Sequence, residues 1–216
     1  MTGGSVELDE LERDALTELV NIGVSRAAAS LRKMVGEQVL LSVPSVEIVS
    51  RAVAASLIGE REIEELVAVR QDFSGAFSGR ALLIFPHANS LELVHAVLGD
   101  AVGADELPSM EEEALAETGN IILNGCLATM ANMLRQPLVM SLPVVLRGDS
   151  PHLFEVIAEF GSSGPVLFLY INFSVRERDI RGYIAMLMDL PSLEALKLLI
   201  NRFIAHVMDD DVNNAI

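Results

Sequence analysis

Apolar residues recur along this chain with two rhythms. From about Asp9 to Met34 they return every three or four positions, as in LTELVNIGVSRAAASL, the spacing of one face of a helix with about 3.6 residues per turn. Asp9 is placed to cap that helix, Glu12 stands three residues later as in a capping box, and Gly36 supplies the stop. A second long helix is expected from PSMEE, with Ser109 as N-cap, Glu112 completing its capping box and Pro137 beyond its end. Acids crowd both first turns, where the helix dipole favours them. Segments 37–49, 66–73, 80–86, 138–147, 153–160, 165–174 and 181–188 carry the aliphatic and β-branched runs of strands. Residues 52–59, 90–98 and 192–206 read as further helices, and short glycine turns such as GSSGP (161–165) imply mainly antiparallel pairing.

The pattern also repeats. Glu18 recurs as Glu117, Asn21 as Asn120 and Pro44 as Pro143, each 99 residues on. ELVNIGVSRAAASLRKMVGEQVLLSVPSV and ETGNIILNGCLATMANMLRQPLVMSLPVV agree in type throughout, and each half closes with a strand and a helix, GRALLIFPHANSLELV and GYIAMLMDLPSLEALKLL. The expected fold is α+β: one domain over 1–216, built from two pseudo-symmetric repeats (about 9–100 and 108–206), a mainly antiparallel sheet with the two long motif-bearing helices packed against it.

Helical spacing puts Asp14, Glu18, Asn21 and Ser25 near one line, and Glu113, Glu117, Asn120 and Asn124 near another. A polar line can be no more than a solvated face. Asn, however, is a mediocre helix former whose side chain competes with the backbone, and it stands mid-helix twice. Gly119 precedes Asn120 and should cost about 1 kcal/mol against Ala in a helix interior. It is read as letting another surface approach, so that Gly119→Leu would leave the fold intact and weaken docking. The Glu-x-x-Asn pair also survives while its flanks diverge between the halves. A carboxylate and an amide are a poor set for covalent catalysis and offer too few oxygens for a hard cation. An amide can donate to and accept from one water, the role of an orienting group in phosphoryl hydrolysis, and the carboxylate can pair with a partner's cation.

Composition narrows the partners. A formal charge of −16 would repel nucleic-acid phosphates and anionic lipid. Cys126, the single cysteine, lies among leucines and reads as a buried thiol in a reducing compartment. The acidic N-terminus MTGGSVELDELER lacks the pattern of a secretory signal, and the longest apolar runs fall short of the about 20 residues a membrane helix needs, so a cytoplasmic protein without membrane insertion is expected. His87, His95, His152 and His206 show no ligand spacing, GSSGP lacks the Lys-Ser/Thr of a phosphate loop, and Asp209 to Asp211 read as a solvated, frayed end.

At its polar lines the chain resembles the CheC/CheX/FliY family of chemotaxis phosphatases, whose pattern is Asp or Ser, three residues, Glu, two residues, Asn, about 22 residues, Pro. Asp14, Glu18, Asn21 and Pro44 match in full; Glu117, Asn120 and Pro143 match with Glu113 at the first position. The doubled motif is most similar to the CheC branch. The resemblance implies dephosphorylation of the aspartyl-phosphate of a CheY-type receiver. Asn21 and Asn120 would orient the attacking water, Glu18 and Glu117 would pair with the receiver's lysine, and Asp14, Glu113 and Gly119 would touch the substrate protein. Pro44 and Pro143 would shape the strand beside each helix. Mg2+ would belong to the receiver, leaving this chain no cofactor of its own, and a CheD-type receptor deamidase is a second implied partner. The alternative is a largely non-catalytic module that sequesters the phosphorylated receiver or regulates the deamidase.

Overall fold

A computed structural model describes residues 7–36, 38–63, 65–98, 107–156, 165–175 and 178–214. The elements run α1 (Glu10–Val35), β1 (Val39–Ser42), β2 (Val46–Ser50), α2 (Arg51–Gly59), β3 (Leu66–Gly75), β4 (Gly79–Pro86), α3 (His87–Leu98), α4 (Leu107–Met133), β5 (Leu138–Met140), β6 (Val144–Gly148), α5 (Ser150–Val156), β7 (Pro165–Val175), β8 (Arg178–Met188) and α6 (Leu190–Asn214). The α+β class holds, and every strand pair is antiparallel.

Helix α1 starts and stops as its sequence dictates. Glu12 N–H donates to Asp9 Oδ1 and Asp9 N–H donates to Glu12 Oε2, both at 2.8 Å, and Gly36 closes the helix at φ 76°. Helix α4 departs from expectation by beginning at Leu107, ahead of Ser109. Each anticipated long strand after a motif helix is two short ones, broken at 43–45 around Pro44 and at 141–143 around Pro143, because proline has no N–H for the ladder. The anticipated strand 153–160 is overturned as far as Val156, which ends α5; residues 157–160 and the GSSG of the expected turn lie outside the described residues. Asp149 caps α5, accepting from His152 N–H at 2.9 Å, just as Ser50, 99 residues earlier, caps α2 by accepting from Val53 N–H at 3.2 Å. Helix α6 continues to Asn214, so the backbone of the tail acids is helical and not frayed.

The eight strands form one sheet in the order β1-β7-β8-β4-β3-β5, with β2 also on β7 and β6 also on β3. The edges are exchanged. Strands β1 and β2 of the first half lie on β7 of the second, and β5 and β6 of the second lie on β3 of the first. Alternation along the strands feeds two cores. Val67, Val69, Leu83, Leu167 and Leu169 join the larger one under α1, α3, α4 and α6. Leu66, Ala68, Leu82, Val166 and Phe168 join the smaller one under α2 and α5, with Ala54, Ile58, Leu153 and Phe154.

Candidate functional site

The two motif helices cross closely. A Cβ on Gly23 would lie 2.8 Å from Cys126 Cα and one on Gly125 2.8 Å from Ala27 Cβ, so only glycine permits the approach of α1 to α4 at both places. Cys126 is fully buried there, and burial pushes its thiol up to about 12, so it stays an inert apolar side chain.

On α1 the line Asp14, Glu18, Asn21, Ser25 faces outward, with Asn21 half-buried and the others exposed. Glu18 has no hydrogen-bond or ion-pair partner among the described residues, which leaves its carboxylate open to a visiting cation. Asn21 is held on both sides. Its Nδ2 donates to Val43 O and its Oδ1 accepts from Val43 N–H, each at 2.9 Å. The amide thus acts as a strand partner for the chain just before exposed Pro44, where β1 has ended and β2 has not begun. In this half the spacing from Asn to Pro lets the side chain satisfy backbone groups that the broken ladder leaves unpaired.

On α4 Glu113 and Glu117 are exposed, Asn120 and Asn124 are half-buried, and Glu117 again lacks a partner among the described residues. Asn120, however, bonds differently. Its Oδ1 accepts from Gln71 Nε2 at 3.0 Å and from Asn124 Nδ2 at 2.6 Å, and Gln71 Nε2 also donates to Ser141 O at 3.0 Å. Ser141 is fixed in turn by its N–H on Asp72 O and its Oγ on Asp72 N–H, both at 2.9 Å. Leu142, the counterpart of Val43, is 85% exposed whereas Val43 is 1% exposed. Pro143 is half-buried at the break between β5 and β6.

Gly119 explains the different seating, and here the sequence reading is corrected. Gly119 is buried, and a Cβ on it would sit 2.5 to 2.7 Å from the Val69 side chain on β3. The surface it admits is the protein's own sheet and not a visitor. Val20 holds the equivalent place on α1. Accordingly α4 lies against β3 and β4 as well as β5 and β6, while α1 lies chiefly against β1 and β2. Asn120 therefore meets Gln71, and Asn21 meets the corner between β1 and β2.

Gln71 was not singled out by sequence. The strand register reveals it: Leu41 pairs with Phe173, its counterpart Met140 pairs with Phe73, and so Gln71 stands where the other half has Ile171. A polar residue on the core face of a strand, where its repeat partner is aliphatic, was the available signal.

Two acids brace the same helices. Glu12, buried at the start of α1, meets Lys197 Nζ at 3.1 Å and accepts from Asn201 Nδ2 at 2.7 Å, tying α6 to α1. Burial acts to raise its pKa, but the hydrogen bonds from Asp9 N–H, Asn201 and Lys197 outweigh it and hold the carboxyl below its ordinary value. Glu111, 99 residues on, pairs with Arg147 Nη2 at 3.0 Å. Among the described residues no three His, Cys, Asp or Glu side chains gather as a metal site, and no helix is long and apolar enough to cross a membrane.

The sequence model described as chemotaxis phosphatase CheX matches residues 67–159, a stretch that holds Gln71, Glu117, Asn120 and Pro143. The flagellar motor switch phosphatase FliY of Bacillus subtilis is 29% identical over 160 residues, 72% of this chain and 39% of FliY. The CheY-P phosphatase CheC of the same organism is 22% identical over 200 residues, 88% of this chain and 93% of CheC. Over these stretches the chain is similar to the CheC/CheX/FliY family of chemotaxis phosphatases. Thermotoga maritima FliY shares this fold, with a TM-score of 0.73 over 92% of this chain and 100% of that one at 16% identity. The chain spans about two fifths of the length of the B. subtilis FliY that it matches.

Proposed function

We propose that this chain is a member of that family, that it hydrolyses the aspartyl-phosphate of a CheY-type receiver, and that it acts as one domain of two repeats. One observation carries the reading: each half sets an exposed, partnerless carboxylate one turn before an amide held by hydrogen bonds. A held amide is preorganised, which is what positioning a water in line with phosphorus requires. Asn21 and Asn120 are the two held amides that meet the phosphoryl group. Glu18 and Glu117 pair with the receiver's lysine, and Asp14 and Glu113, on the same exposed lines, extend the acidic surface toward it. Pro44 and Pro143 keep the corners open to the amides. Mg2+ comes with the receiver, so no cofactor of this chain takes part. The similarity to the CheY-P phosphatase CheC and the doubled motif support this assignment, as does the exchange of edge strands for a single domain. A cytoplasmic setting and a CheD-type deamidase as a second partner follow from the same family reading.

The test is phosphate release from acetyl-phosphate-charged CheY. Replacing both amides, Asn21→Ala with Asn120→Ala, should lower turnover on the order of 100-fold or more, the cost of losing a preorganised group. A double variant as fast as wild type would end the enzymatic reading.

A further inference from the structure

The two amides present different atoms to a visitor. An Asn carbonyl oxygen has two lone pairs and its NH2 two hydrogens. Asn21 spends one of each on Val43, leaving one lone pair and one hydrogen uncommitted. Asn120 has both lone pairs occupied, by Gln71 and Asn124, and only hydrogens left. The orientation is forced. Gln71 Nε2 is identified by its bond to the Ser141 carbonyl, so the Asn120 atom facing it must be oxygen, since nitrogen would set donor against donor. Gln71 is 1% exposed within the sheet and cannot swing aside.

This difference bears on hydrolysis. An attacking water needs its own lone pair aimed at phosphorus, so its hydrogens must be accepted by the enzyme or the substrate. Asn21 can accept one. Asn120 can only donate, so it cannot take up a hydrogen of the attacking water, and a bond donated to the water's oxygen draws electron density away from the nucleophile. The same hydrogens suit a phosphoryl oxygen, so the second half can grip the phosphorylated receiver without activating water.

Resting on the phosphatase reading above, we infer that Asn21 carries turnover, and that Gln71 is a positioning residue that keeps the second half a docking site by turning the Asn120 carbonyl inward. Removing Gln71 should release that carbonyl. Gln71→Ile copies the residue that the first half has at Ile171, and it also removes a buried acceptor, Gln71 Oε1, that has no partner among the described residues.

The experiment measures phosphate release from acetyl-phosphate-charged CheY. Asn120→Ala alone should act on binding and raise KM for the phosphorylated receiver several-fold, and Asn21→Ala alone should lower kcat on the order of 100-fold. Adding Gln71→Ile to Asn21→Ala should raise kcat on the order of tenfold over Asn21→Ala, with KM for the phosphorylated receiver unchanged and the melting temperature kept. Adding Asn124→Ala instead frees the other lone pair and should do the same, which serves if Gln71→Ile disturbs the fold. If Asn120→Ala costs more than Asn21→Ala, or if neither addition restores turnover, the inference is overturned. The wider reading fails separately, only if the Asn21→Ala, Asn120→Ala double variant keeps wild-type activity.

Discussion

The first half clamps its motif amide to a buried corner of its own chain, and the second ties the matching amide to a glutamine on a strand of the other half. Three substitutions between the repeats account for this. Val20 becomes Gly119, which lowers α4 onto Val69; Ile171 is replaced by Gln71 on the exchanged strand; and buried Val43 becomes exposed Leu142. None of the three is the Glu or the Asn of the motif, although Gly119 stands between them. Identical motif letters thus deliver different hydrogen-bonding capacity, because neighbours other than that Glu and Asn decide which amide atom is consumed.

The largest expected effect is on Gly119. Installing the residue of the other half, Gly119→Val, forces a side chain into Val69 and should destabilise the protein by about 3 kcal/mol or more in urea unfolding. Val69→Ala should recover part of that loss, and a variant as stable as wild type would break the account of how α4 is seated. Next come the carboxylates. Glu18→Gln should lower kcat/KM about tenfold by removing a charge partner of the receiver, whereas Glu117→Gln should weaken receiver binding in a titration yet leave turnover within about threefold. Equal kinetic losses would erase the division between the halves. Leu142→Ser should reduce receiver affinity a few-fold by trimming an exposed apolar side chain next to Ser141, with stability changed by less than about 0.5 kcal/mol. Unaltered affinity would remove Leu142 from the docking surface.

The smallest effect concerns pH. The folded carboxyl of Glu12 titrates below its ordinary value, so its contribution to stability is complete above that value and fades as pH falls through the folded one. Lys197 is partly open to water, which limits the contribution to at most about 1 kcal/mol. Unfolding of Glu12→Gln across acid pH should therefore show a flatter loss than wild type; parallel curves would mean that Glu12 adds nothing.

Most elements were legible along the chain. The capping box of α1 is a contact within four residues, and the Glu-Asn-Pro pattern survives as a spacing, so both could be read directly. Helix α5 was misread because LFEVIAEF is a short apolar run that suits strand or helix equally; the cap at Asp149, repeating Ser50, was the signal that should have decided it. Gly119 was recognised as a place of close approach but assigned to the wrong neighbour, because a glycine reveals room and not what fills it.

From the chain alone came what depends on local physics: the start and stop of the first long helix, two polar lines at helical spacing, and a strongly acidic balance. Only the tertiary structure could exchange the edge strands between halves and bring Gln71, 49 residues away in sequence, onto Asn120. The reason is geometric. Register and helix seating are set by side-chain volumes on two surfaces that meet far apart in sequence, and the lone pairs of an amide are allotted only once those surfaces have closed.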